Sequence, residues 1–211
     1  MNAKNTRLHI HAGYLAAALL LVSSFSILAV SPARANAAVK YRWPLGSQTT
    51  IQNWVDHNPN AGSYYRYDCT STGGYDGHQG TDTGASYGTA IYTGAQGSLY
   101  YRIDGCADTP NSSPACAYGF GNHVRIQDAD GHVAVYAHMK NGSPTYYSSL
   151  LCSSKVGEVG ASGQATYYHL HFEMWSDQYK SSIIDPFAGS CSQATSYWVN
   201  QNGGSPTTQC Q

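Results

Sequence analysis

Helical periodicity is almost absent from this chain, and no other feature constrains its fold as much. In its place stand short alternating runs bounded by Gly, Asn, Asp or Pro: Ala90–Tyr92, Ser98–Ile103, His123–Gln127, Val133–Met139, Lys155–Val159 and His169–Trp175. Alternation with period two is the mark of a strand with one buried face. Asp130-Gly131 separates the third and fourth runs, and Asp-Gly between two alternating runs signals a hairpin. Several short strands at this spacing predict an all-β, mainly antiparallel domain, a small sandwich or barrel with long loops.

The N-terminus reads differently. Lys4 and Arg7 precede an uncharged stretch from Tyr14 to Val30, and Ala33-Arg34-Ala35 and Ala35-Asn36-Ala37 follow as small-x-small sites. That is the layout of a secretory signal peptide over residues 1–37. The apolar run is interrupted by Ser23, Ser24 and Ser26 and is short for a membrane span. Residues 38–75 then read as an irregular N-terminal segment, 76–188 as the main domain, and 189–211 as a polar C-terminal segment tied by a disulfide. An extracellular or cell-envelope location follows, with no membrane attachment after leader removal.

Only 11% of the 211 residues are charged, against about 25% in ordinary domains. Without the leader the chain keeps 8 basic and 12 acidic side chains, with no basic run. Nucleic acid is therefore not an expected partner, and a monomer is expected. All six cysteines fall in the mature part, which in a secreted chain reads as disulfides. Locality favours Cys106–Cys116 and Cys191–Cys210, leaving Cys69–Cys152.

The titratable residues cluster. In Tyr168-His169-Leu170-His171-Phe172-Glu173-Met174, strand parity puts His169, His171 and Glu173 on one face and the apolar residues on the other. Two histidines beside a glutamate on one strand face are hard to explain by packing alone. His78 and Asp82 lie in Asp76-Gly77-His78-Gln79-Gly80-Thr81-Asp82, where glycines let two side chains four residues apart converge. Alone, that pair reads more readily as a solvated turn. His138 ends the run from Val133, its parity placing it with Ala134 and Tyr136, opposite the valines. His123 follows Gly121-Asn122 at a strand start and is expected to point elsewhere, while His57 and His132 sit among turn residues and read as surface. Three ligands plus water on zinc make a catalytic rather than a structural site, and this set leaves imidazoles to spare. Spacing does not decide which of His169 and His171 binds metal.

The blocks His78-x-Gly80-x-Asp82, Gly121-Asn122-His123-Val124, Tyr136-Ala137-His138, Gly160-Ala161-Ser162-Gly163 and His169-Leu170-His171-Phe172-Glu173 occur in order, closing with Ile184-Asp185-Pro186. Over roughly residues 76 to 187 the chain resembles the lysostaphin/LytM-type zinc endopeptidases, which cut peptides of bacterial peptidoglycan. The resemblance implies a duplicated hybrid motif fold and one Zn2+ per chain held by His78, Asp82 and His171. It implies His138 and His169 as the catalytic imidazoles and a peptidoglycan peptide as substrate. Asn122 and Glu173 fall at family-like positions but read as structural. Tyr167 and Tyr168 stand where small residues are common, and the Cys106–Cys116 insertion is unusual; both bear on the groove. A non-catalytic LytM-like wall-binding or hydrolase-activating protein, and a general secreted zinc protease, are the competing functions.

Overall fold

A computed structural model of the chain describes residues 38–47, 50–58, 60–201 and 207–211. The expected leader, residues 1–37, lies outside the described residues. Ten strands are found among them: β1 (Ile51–Asn53), β2 (Thr81–Gly84), β3 (Ala90–Tyr92), β4 (Gly97–Ile103), β5 (Asn122–Gln127), β6 (Val133–Met139), β7 (Ser149–Leu150), β8 (Lys155–Glu158), β9 (His169–Trp175) and β10 (Ile183–Ile184). The described residues form no α-helix, and none of their elements is a helix long and apolar enough to cross a membrane. The six alternating runs all become strands, and Asp130-Gly131 turns β5 into β6. The remaining four strands have two to four residues, too few for periodicity to reveal.

Every strand pairing is antiparallel. The larger sheet runs β1-β2-β9-β6-β5-β4-β7, with β10 also on β9, and β3 and β8 form a separate pair. The all-β fold expected from the sequence is thus the one observed.

The sheet has two different faces. Leu170, Phe172 and Met174 of β9, Ala134 and Tyr136 of β6, and Val124 and Ile126 of β5 join Ile91 and Val156 of the smaller sheet in the main core. Tyr41, Trp43, Phe187 and Trp198 from irregular segments complete it, with the Trp43 and Trp198 rings 5.2 Å apart. On the other face Val133, Val135, Ala137 and Trp175 form a smaller cluster beside Phe120 and Ile183. That second face carries the site.

The disulfides correct two of the three expected pairings. Cys106–Cys116 forms, but the others are Cys69–Cys191 and Cys152–Cys210. Loop-closure entropy grows only logarithmically with length, so locality favoured the expected set by no more than about 1–2 kcal/mol. Packing outweighs that. Tyr67 stacks on Phe187 and Cys191 N–H donates to Tyr67 O, which brings Cys69 beside Cys191. His57 and His132, expected at the surface, are half-buried and each meets a carboxylate: His57 Nε2 lies 2.7 Å from Asp185 Oδ2 and His132 Nδ1 3.3 Å from Asp128 Oδ2. An acid within reach draws in a turn histidine that a solvated reading leaves out.

Candidate metal centre

Two strands and a turn assemble the donor set. Asp82 on β2 stands directly opposite His171 on β9, and side chains opposed on one face of an antiparallel pair are in contact. Asp82 Oδ1 is 2.7 Å from His171 Nδ1. His78 enters from the turn before β2, where its carbonyl accepts the Asp56 N–H and the Asp56 carboxylate accepts the Gly77 N–H. His78 Nε2 is 3.3 Å from Asp82 Oδ1 and 3.4 Å from His171 Nδ1. The two glycines act differently. Gly77 takes a φ of +75°, which a side chain would strain. At Gly80 a β-carbon would stand 2.6 Å from the His171 ring, so only glycine leaves that ring its place.

The donors fit a metal. Zinc bonds of about 2.0–2.1 Å to N and O imply tetrahedral donor–donor edges of about 3.3–3.4 Å. Two of the three edges have those lengths. The third is a hydrogen bond between an acid and a base, the contact that an ion would replace. His78, Asp82 and His171 are the group of described residues that could hold a metal ion.

The ring tautomers agree with that fit. A carbonyl oxygen only accepts, so Nδ1 carries the hydrogen wherever it faces one. His78 donates from Nδ1 to Trp54 O at 2.8 Å, His138 to Ser162 O at 2.7 Å and His169 to Tyr167 O at 2.9 Å. All three then present a bare Nε2. His171 is turned the other way: its Nε2 meets Glu173 Oε1 at 3.1 Å, leaving Nδ1 for the shared point. An outer partner that fixes tautomer and ring orientation is the usual companion of a ligating histidine. Glu173, read from the sequence as structural, is the hydrogen-bond partner that holds the His171 ring. It also accepts from Trp175 Nε1 and pairs with Lys180 Nζ at 2.9 Å.

The charge pattern divides the cluster. Burial would raise the Asp82 pKa, but His171 and His78 outweigh it and hold the carboxyl well below the usual range. Burial opposes charge on His171, yet Asp82 and Glu173 push its pKa up to about 10. A metal held there would compete with a proton for that nitrogen. His138 goes the other way, its pKa depressed well below the ordinary value by burial and then by His169 and His171. His169 is also lowered, chiefly by burial. Two neutral imidazoles thus stand beside the donor set.

Strand alternation alone misplaces His138. Ala137 is opposite His171 in the ladder, so the next residue should face the core with Tyr136. His138 instead has a φ of +59°, which turns its ring to within 4.7 Å of His169 and 5.4 Å of His171 between centroids. Left-handed backbone at a non-glycine residue costs roughly 1–2 kcal/mol and persists only where the surroundings over-determine it. Here the His138 N–H donates to Phe120 O and the ring to Ser162 O.

The five expected site residues, His78, Asp82, His138, His169 and His171, line one groove of about 660 Å³. Tyr167 stacks on His169 at 4.3 Å and forms part of its wall. Tyr168 turns away, edge-on to Tyr87. Asn53 on β1 donates to Asp82 Oδ2 at 2.9 Å. Asn122 is structural, its side chain bonding the backbone of Cys106 and Met139. His123 lies outside the groove, packed against Phe120 and Tyr101, with its pKa lowered by burial to about 4.

An antiparallel sheet with a buried His/Asp/His set and two further imidazoles defines a β protein with a candidate hydrolytic metal centre. The chain belongs to peptidase family M23, which matches residues 76–186, just over half of its length. Over 97 residues, 46% of this chain, it is 31% identical to the cell division protein DipM of Caulobacter vibrioides, and it spans only 14% of that relative. The fold is similar to the catalytic domain of a prophage-encoded M23 protein, EnpA, of Enterococcus faecalis, with a TM-score of 0.50 and 21% identity over 71% of this chain and 96% of that one. The catalytic domain of the antimicrobial peptidase lysostaphin from Staphylococcus simulans gives a TM-score of 0.42 and 20% identity, covering 70% of this chain and 89% of that one. The family resemblance read from the sequence is borne out.

Proposed function

We propose that this chain is a secreted zinc metalloendopeptidase that hydrolyses peptide bonds in bacterial peptidoglycan. One observation carries the reading: four imidazoles, three of them with tautomers fixed by backbone carbonyls, converge around a single buried carboxylate. A protein that only bound wall peptide would need no such cluster. His78, Asp82 and His171 would hold one zinc ion through two ring nitrogens and a carboxylate oxygen. Bound zinc supplies Lewis acidity, lowering the pKa of water toward about 7 and polarising a carbonyl.

The protein's own groups then divide the proton work. His138 and His169 begin neutral with Nε2 bare, so either accepts the proton of the attacking water. Once charged, the same ring donates to the developing oxyanion or to the leaving amine. Ser162 O and Tyr167 O keep both rings oriented throughout. Glu173 holds the His171 ring in place.

Release of soluble peptides from purified peptidoglycan, with an unrelated protein as a parallel substrate, tests the proposal. Wall cleavage lost to a chelator and restored by zinc is the expected result. Zinc binding without cleavage of either substrate would overturn the enzyme reading, and cleavage of protein alone would overturn the substrate. Mass analysis of the released muropeptides identifies the bond.

A further inference from the structure

We infer that Tyr118 is a substrate-binding residue of the groove, its ring held out to stack on the peptide strand lying over the histidines. The inference rests on the peptidase reading above. Ala117 (φ 49°, ψ 47°) and Tyr118 (φ 57°, ψ 34°) are two consecutive non-glycine residues in the left-handed region. Such a conformation is uncommon at one side-chain-bearing residue and strained at a bulky one. Packing does not account for it. Tyr118 is 97% exposed, and among the described residues its side chain has no hydrogen bond, ion pair or ring contact.

The turn is nevertheless locked. The Cys106–Cys116 bridge closes it from one side. Phe120 N–H donates to Ala117 O, Gly121 N–H to Cys116 O, and Gln164 N–H to Gly119 O at 2.7 Å. The next carbonyl, Phe120 O, accepts the His138 N–H, so the strained turn is coupled directly to a site histidine. Strain held in place by the surroundings, at a residue that packs on nothing, marks a ligand clamp.

The surroundings say what the clamp would hold. Tyr118 lines the same groove as Tyr75, Tyr167, Gln79, Gln164 and Thr166. Lys180, the ammonium at its edge, is tied to Glu173. Flat rings and uncharged polar groups suit an uncharged peptide main chain with small side chains. A ring presented in advance loses little rotamer freedom on binding.

Kinetics on soluble cross-linked muropeptides, co-sedimentation with purified peptidoglycan sacculi, zinc content and thermal melting test this together. Tyr118→Ala should raise KM about five- to tenfold, the range of an aromatic contact, with kcat within about twofold. Zinc content and melting temperature should stay at wild-type values. Placed in a His169→Ala background, Tyr118→Ala should weaken co-sedimentation by the same factor. Tyr118→Gly, which relieves the left-handed strain, should melt higher while binding as weakly as the alanine variant, and Tyr118→Phe should bind normally. Wild-type KM and sedimentation in Tyr118→Ala would overturn the inference alone. So would a lower melting temperature or lost zinc in both the alanine and glycine variants, because Tyr118 would then be structural. A wild-type protein that neither cleaves nor binds sacculi would overturn the functional reading and this inference with it.

Discussion

The floor and the wall of the groove are built on different principles. The floor is β2 and β9, where ladder register and parity set Asp82 opposite His171 and His169 one step away. Its histidines and acids are nearly fully buried. The wall, residues 104–121 with 161–167, has no strand pairing of its own beyond its rims. It is held by a disulfide, by Asn122 gripping Cys106, and by Gly163, where a β-carbon would fall 2.2 Å from Gly119 O. Metal chemistry needs donors fixed to a few tenths of an ångström, which rigid strands supply. Recognition surfaces are more often placed on loops that a rigid scaffold positions.

Removing a floor donor should have the largest effect. Asp82→Ala and His171→Ala are expected to lose zinc and all measurable hydrolysis, read by metal content of the purified proteins. Full stoichiometry and activity in Asp82→Ala would remove the donor assignment. Loss of zinc in His169→Ala but not in His171→Ala would reverse the roles of the two strand histidines.

The next effect separates the floor's donors from the two imidazoles beside them. His169→Ala and His138→Asn should keep zinc and lose about 10²–10⁴-fold in kcat, the usual worth of general acid–base help. Asparagine is chosen at 138 because it tolerates left-handed backbone. If both variants keep zinc and full activity, these imidazoles are structural.

His123 sharpens the contrast on the same sheet face, because it is buried yet outside the groove. Its folded pKa, near 4, is below the unfolded value near 6.5. Between those pH values the unfolded chain binds the extra proton, so stability rises with pH. At pH 4 the loss approaches about 3 kcal/mol, taking about 1.4 kcal/mol per pKa unit. His123→Phe should flatten that part of the stability curve and leave zinc content unchanged. An unaltered pH slope would show that another group is responsible.

The smallest effect belongs to the wall. A Cys106→Ser, Cys116→Ser double variant opens a loop spanning 10 residues, worth about 2–3 kcal/mol in the chain-entropy account. Chemical denaturation should show that loss with zinc retained. Loss of zinc would mean that the floor depends on the wall, and the two regions would no longer be separable.

Much of the floor was legible in the sequence because strand parity is a local property. Residues 169–175 alone divide into an apolar and a titratable face, and β9 carries both as expected. Asp130-Gly131 and Cys106–Cys116 were legible for the same reason, since each joins near neighbours. Glu173 was visible on the right face, but its role was not. Only the packed chain shows the His171 ring held between Asp82 across the ladder and Glu173 on its own strand.

Other features were decided by tertiary structure. Parity sends His138 into the core, and a single φ of +59°, held by Phe120 and Ser162, sends it to the site instead. No pattern in the run from Val133 to Met139 encodes that rotation, because it comes from partners 18 and 24 residues away. Asp82 sits on a strand too short to announce itself, and its register is fixed by β9. The long-range disulfides likewise follow the aromatic core that brings residues 67, 187 and 198 together. The sequence determined which residues can alternate across a strand and which side chains can bind a metal. Only the packed chain decided which of them meet, because the free energy separating one long-range pairing from another lies in packing, not in chain distance.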